Sequence, residues 1–221
     1  MKFIIKILFL LSPSLAYAQY DDSLPDITVR EQPTAIRYTD PTFIPTNLSD
    51  IRDAQRVMSE LKDNSRSRSE CFQRAHLWAM EMNQMAKIRS EKIFLFFTDR
   101  YQREYGFSWW FHVATLVLIN NEEFVIDPRF FDHPVNTQEW SDFFMPSHPI
   151  CKTVSTYQEY ENNEEAEYCY FRKIPMYYFE PSDIEARDKS NVVVDHWIDW
   201  EISSAEDALR NAPWWKRITG H

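Results

Sequence analysis

Glycine is almost missing from this chain: only Gly106 and Gly220 occur in 221 residues. Glycine-rich phosphate loops, dinucleotide fingerprints and the G-x-S-x-G nucleophile elbow each need backbone freedom that only glycine supplies. No nucleotide cofactor is therefore expected. H-E-x-x-H is also absent, and the six histidines fall at no zinc-ligand spacing beside cysteines or carboxylates, so no metal is expected either. The chain lacks a basic excess, with 24 basic against 34 acidic side chains and a net charge of −10. Such a surface repels phosphate backbones and speaks against nucleic acid as a partner. Beyond the first residues no apolar run is long enough to cross a bilayer; Phe111 to Ile119 has strand length.

What is present begins with an export signal. Lys2 and Lys6 precede and interrupt an apolar run to Leu11, and Ala16-Tyr17-Ala18 gives the small-x-small pattern of a signal-peptidase site. Residues 1–18 read as a signal peptide, the alternative being an uncleaved anchor. Cleavage leaves 22 basic against 34 acidic side chains, a net −12, on a secreted or periplasmic protein with no membrane span, expected to be a monomer. Three cysteines are then an odd number in an exported chain. Cys151 and Cys169 flank a polar, acidic stretch and could close it as a disulfide, contributing roughly 3 kcal/mol. That pairing would leave Cys71 as the free thiol.

Residues 19–47 carry Pro25, Pro33, Pro41 and Pro45 and read as an extended arm or short pro-piece. Residues 48–221 read as one catalytic domain. A helix is expected from Ser49, with Ile51, Ala54, Val57, Met58 and Leu61 as its apolar stripe, followed by a loop over 62–69. A second helix begins near Ser69. Its two apolar stripes (Cys71, Ala75, Trp78, Ala79, Met82, Ala86 and Phe72, His76, Met80) predict deep burial. Ile93 to Phe97 reads as a strand and the stretch through Gly106 as a polar loop. The run Trp109 to Ile119 is apolar on both alternating sets, as in a central strand. Asn120-Asn121 suits a tight turn, since asparagine tolerates positive φ, and 123–127 returns as the partner strand until Pro128. A short helix over 137–144, a strand pair at 168–171 and 176–179, and a last helix from Ser204 complete the pattern. The fold class expected is α+β, an antiparallel sheet packed against a central helix.

Hydrolysis of an amide by cysteine needs a thiolate, a base that keeps it ionised and a third group fixing the base. Cys71 stands in the first turn of its helix, where unpaired amide hydrogens and the helix dipole favour an anion. Arg74 in the same turn adds to that effect if it points inward. His112 lies on an otherwise apolar strand, sharing its face with Trp110, Ala114 and Leu116. If Asn120-Asn121 is a two-residue turn, Ala114 faces Asp127 and His112 sits diagonally from it, at a Cβ separation of about 7–8 Å. A loop with an odd number of residues would place the two on opposite faces. Singly, each residue is more often structural: a buried thiol, a satisfied core histidine, an aspartate held extended before proline. Trp109 and Trp110 suit either the wall of a cleft or plain core packing.

The pieces Cys71-Phe72-Gln73-Arg74-Ala75-His76, Trp109-Trp110-Phe111-His112-Val113-Ala114 and Ile126-Asp127-Pro128, with Pro134-Val135 and Trp140, resemble the active-site pattern of bacterial protein glutaminases. The resemblance spans roughly residues 69–140. It implies a transglutaminase- or papain-like core whose central helix carries the nucleophile. It further implies Cys71 as nucleophile, His112 as base, Asp127 as orienting acid, and accessible glutamine in proteins or peptides as substrate. The same acyl-enzyme chemistry admits a transglutaminase or a cysteine protease, and a non-catalytic exported binding or envelope protein is the rival outside enzymes. His76, five residues after Cys71, falls away from the thiol's face and reads as structural. Two features depart from the family. Fewer than sixty residues lie between the expected signal cleavage site and Cys71, where family members carry a sizeable pro-segment, and the part from Cys151 onward shows no resemblance.

Overall fold

The computed structural model describes residues 29–30, 43–61 and 69–210. The expected signal peptide, nearly all of the arm, the 62–68 loop and the last eleven residues lie outside these. The elements are β1 (Val29–Arg30), β2 (Asn47–Leu48), α1 (Ile51–Glu60), α2 (Cys71–Ala86), β3 (Glu91–Phe97), α3 (Asp99–Tyr105), β4 (Phe111–Ile119) and β5 (Glu122–Ile126). They continue with β6 (Val135–Asn136), α4 (Thr137–Phe144), β7 (Lys152–Thr153), α5 (Tyr157–Glu161), β8 (Cys169–Pro175), α6 (Pro181–Ser190) and α7 (Asp199–Arg210).

The class is α+β, as expected, and the centre of the sheet is antiparallel: β8, β3, β4 and β5 lie side by side. At the margins β2 runs parallel to the end of β4, and β7 parallel to β8. β3 and all of β4 after Phe111 are buried. Their apolar residues on both alternating sets are covered from both sides, the condition that such runs satisfy. On one side α2 packs through Ala75 against Phe94, Phe96 and Val113, and through Trp78 and Met82 against Val117, Ile119 and the Ala54, Val57 and Met58 stripe of α1. On the other, Ala114 and Leu116 meet Val135, Trp140 and Phe144. Of the expected α1 stripe only Ile51, at the first helical position, is exposed.

The β4–β5 hairpin closes as the sequence predicts. Asn120 and Asn121 both have positive φ, 53° and 68°, and Ile119 pairs with Glu122. The Asn47 side chain bonds Asn121 twice, accepting from its backbone N–H and donating to its side-chain oxygen, both at 2.9 Å. The turn therefore rests on β2 as well as on its own dihedrals.

Three expectations fail. The stretch before Gly106 is helix α3, started by the Thr98 hydroxyl cap and ended by Gly106 at φ 64°; its one-sided burial through Tyr101 left too little periodicity to read. Residues 176–179 form no strand. β8 instead runs to Pro175, pairs with β3 over its whole length, and Met176 to Phe179 turn away toward α6. The last helix starts at Asp199, five residues before Ser204.

Cys151 and Cys169 form a disulfide across 18 residues, and Cys71 is the free cysteine, half-buried. Among the described residues no helix is long and apolar enough to cross a membrane.

Candidate active site

α2 opens on a reciprocal cap. The Glu70 side chain accepts from the backbone of Gln73, and the Glu70 N–H donates to Gln73 Oε1 at 2.9 Å. This box, S-E-C-F-Q in sequence, fixes Cys71 as the first helical residue, with its sulfur at the positive end of the helix.

β4 begins at Phe111, so His112 stands at the end of the sheet nearest that helix head. Even-numbered residues of β4 face α4 and odd-numbered ones face α2. Cys71 therefore reaches His112 around the end of the sheet, near enough for the sulfur to raise the imidazole pKa. On its other side His112 Nε2 lies 2.9 Å from Asp127 Oδ2, with both side chains almost fully buried. Register explains the approach. The β4–β5 ladder pairs Thr115 with Ile126, and Asp127 is the next residue, on the face that His112 shares. Trp140 of α4 donates its indole N–H to the same Asp127 Oδ2 at 3.0 Å. Two donors on one oxygen hold the carboxylate still, and they assign the Nε2 proton of His112 to the bond with Asp127, leaving Nδ1 for the sulfur.

The charge balance follows. Burial, the largest single influence, pushes the His112 pKa down. The hydrogen bond to Asp127, together with the nearby thiol of Cys71 and the attraction of both groups, outweighs it and raises the pKa to about 9.

A cleft of about 770 Å³ opens over these groups. Cys71 and His112 lie in it with Arg74, Arg129 and Phe130. One wall is Trp109, Trp110 and Phe111; the other is Ser69, Glu70 and the start of α6 at Glu180, Pro181 and Ser182. Trp109 and Trp110 are 44% and 43% exposed, so they are not core residues. Trp109 stacks on His112 with ring centroids 5.9 Å apart. Among the described residues no three His, Cys, Asp or Glu side chains converge to hold a metal ion.

The structure thus brings together all five candidate residues named from the sequence. Three contributors escaped that reading. Trp140 carried a resemblance but no role, since nothing in sequence predicts which buried acceptor an indole will find. Arg129 and Phe130 follow the Asp127-Pro128 turn and had no periodicity. The α6 rim was legible in principle: Glu180-Pro181-Ser182-Asp183 is a helix-start signature with proline at the first position.

His76 is buried away from the sulfur, as expected. Lys92 Nζ lies 2.6 Å from its Nδ1 and also donates to the Tyr178 carbonyl. Its Nε2 lies 3.4 Å from Glu201 on α7. Burial, then the charge of Lys92, pushes the His76 pKa far down. The ring is thus neutral, with Nδ1 accepting from Lys92.

A half-buried thiol at a helix head, beside a buried imidazole–carboxylate pair and under an open aromatic-walled cleft, provides the groups that cysteine-dependent acyl transfer requires. Residues 47–144 match the family model described as glutaminase. No curated protein matches the chain in sequence. Among solved structures it is similar to the NMR structure of protein-glutaminase from Chryseobacterium proteolyticum, at 16% identity and a TM-score of 0.45, over 72% of this chain and 85% of that one. It is also similar to a crystal structure of protein-glutaminase, at 15% identity and 0.44, over 77% and 92%, and to one of pro-protein-glutaminase, at 15% and 0.44, over 85% and 65%.

Proposed function

We propose that the protein is an exported cysteine hydrolase that converts protein-bound glutamine to glutamate and ammonia. The observation that carries this reading is His112, bonded to the buried Asp127 on one side and sharing the cleft with the free thiol of Cys71 on the other. The glutaminase match over 47–144 supports glutamine as the substrate.

The Cys71 thiolate attacks the side-chain carboxamide carbon, and the carbonyl oxygen becomes an oxyanion. The Cys71 backbone N–H at the helix head is one donor for it. His112 Nδ1–H protonates the leaving nitrogen, ammonia departs and a thioester remains. His112, now neutral, takes a proton from water as it attacks the thioester, and the thiolate leaves. The sum is glutamine plus water giving glutamate plus ammonia, with no cofactor or metal. Asp127 keeps the imidazole in the required tautomer. Trp109 and Trp110 flank the entering side chain and exclude bulk water from the thioester.

Export rests on the basic start and Ala16-Tyr17-Ala18; the disulfide suits an oxidising compartment. The proposed layout is a signal peptide at 1–18, an arm at 19–47 and one catalytic domain at 48–221, acting as a monomer.

The test is intact-mass analysis of a glutamine-rich protein incubated with the mature chain. A gain of about one dalton per glutamine, with ammonia release, is expected, and Cys71→Ser should abolish both while remaining folded. Cross-linked products would instead indicate a transglutaminase, and shortened products a protease. A chain inert toward every substrate, with Cys71 unreactive to iodoacetamide, would leave a binding protein.

A further inference from the structure

Arg74 stands one helical turn after Cys71, lines the cleft beside the sulfur and is largely buried. The charges that act on it are those of Cys71, Asp127, Arg129 and Glu70. The side chain folds back along the helix head, and Nη1 donates to the carbonyl of Ser69. That bond completes the fixing of the peptide units before the nucleophile. The Glu70 N–H is held by Gln73 Oε1, and the Glu70 carbonyl accepts from the Arg74 N–H at 3.2 Å. Ser69 lines the same cleft. A carbonyl left unrestrained there could turn its negative end toward the space where an oxyanion forms. Among the described residues the Arg74 Nε has no hydrogen-bond partner, an unusual position for a buried guanidinium whose desolvation is costly.

We infer that Arg74 is a positioning residue with two tasks: it holds a permanent positive charge against the Cys71 sulfur, and it keeps the Ser69 carbonyl turned out of the cleft. This rests on the reading of Cys71 as the nucleophile. Arginine suits both tasks, because it stays charged at any working pH and its fork can bond a carbonyl while leaving charge for a second neighbour. The other charged groups facing the sulfur are His112 with Asp127 from the hairpin side, Arg129 after β5, and Glu70 and Glu180 from the opposite rim. Two carboxylates on that rim oppose the thiolate, and Arg74 is the cation on the same helix that offsets them.

The test is the rate at which iodoacetamide alkylates Cys71 near neutral pH in wild type, Arg74→Lys, Arg74→Gln and Arg74→Met, followed by intact mass. Cys151 and Cys169 are tied in the disulfide, so one adduct reports one sulfur. We expect Arg74→Lys to react within about threefold of wild type, and Arg74→Gln and Arg74→Met to react about tenfold more slowly, since only a thiolate is alkylated at a useful rate. Wild-type rates in all three would overturn the inference. So would equal slowing in all three including lysine, which would reduce Arg74 to a purely structural bond. If Arg74→Met does not fold, the lysine and glutamine variants decide, because both retain a donor for Ser69. Alkylation does not require turnover. A chain that releases no ammonia yet shows this pattern would sink the glutaminase reading and leave the role of Arg74 standing.

Discussion

Trp140 and Asp127 are joined by an indole hydrogen bond of 3.0 Å, made to the same carboxylate oxygen that faces His112. A helix residue thirteen positions later in the chain thereby sets the orientation of an imidazole on another element. Trp140→Phe keeps the ring and removes the donor. A stability loss of about 1.5–3 kcal/mol is expected, as for a buried hydrogen bond to a charged group. A fall in kcat with KM unchanged should accompany it. Urea unfolding and ammonia-release kinetics check the pair; wild-type kcat in a destabilised variant would confine Trp140 to packing.

Asp127→Asn tests the next link. The amide can offer N–H where the imidazole also offers N–H, so the tautomer that serves the sulfur is lost. Turnover should drop by about 10³–10⁴ with the fold retained. A loss under tenfold would mean that Cys71 and His112 work as a pair without the third group.

His112 also makes stability depend on pH. Its pKa stands at about 9 in the folded chain against an ordinary value near 6.5. A pKa raised by folding means that the native state binds the proton more tightly. The stabilisation is fully present below about pH 6.5 and disappears as pH rises through about 9. The melting-temperature gap between wild type and His112→Gln should narrow over that interval. A constant gap would show that the imidazole is not held as a cation.

Glu201 gives a second window of the same sign at lower pH. Burial, reinforced by Asp183 and opposed by Lys92, lifts its pKa to about 7, and burial brings Lys92 down to about 7. The carboxyl is thus protonated in the fold between about pH 4.5 and 7, where an unfolded chain would ionise it. Its favourable contribution is complete below about 4.5 and lost as pH rises through about 7. Glu201→Gln cannot ionise, so it should gain on wild type across this range in thermal melts. Parallel melting curves would refute the assignment.

How much of this could be read beforehand depended on whether a signal was local. The β4–β5 hairpin was legible because asparagine pairs advertise positive φ and the run Phe111 to Ile119 advertises burial on both faces. From turn length and pleat alone, His112 and Asp127 fell on one face, and the structure places them 2.9 Å apart. Cys71 was legible as a helix-start residue. What stayed hidden depends on contacts between distant segments. β8 looked like two short strands because nothing local says that β3 will pair it as far as Pro175. The α6 rim reaches the cleft from 110 positions beyond Cys71, and the burial of Lys92, just outside the expected strand Ile93 to Phe97, depends on its distant contacts with His76 and Tyr178.

The staple between Cys151 and Cys169 predicts one more measurable quantity. It ties the buried start of β8, the strand bound along the whole of β3, to the exposed segment before β7. Reducing it, or replacing both cysteines by serine, should cost about 3 kcal/mol for a loop of this size. Ammonia release at moderate temperature should persist, since neither sulfur lines the cleft. Loss of activity in a folded double mutant would place the staple in the working machinery.

A hairpin tip of only two residues leaves little room for evolutionary drift. Inserting one residue between that tip and Asp127, with the tip kept at two, would slip the register by one and swing the carboxylate to the far side of the ribbon, unless a compensating bulge arose on the same strands. Chains that share this chemistry and keep a two-residue tip should accordingly vary the strand length between tip and aspartate in steps of two, or carry such a bulge. That rule can be checked by counting residues between the histidine and the aspartate.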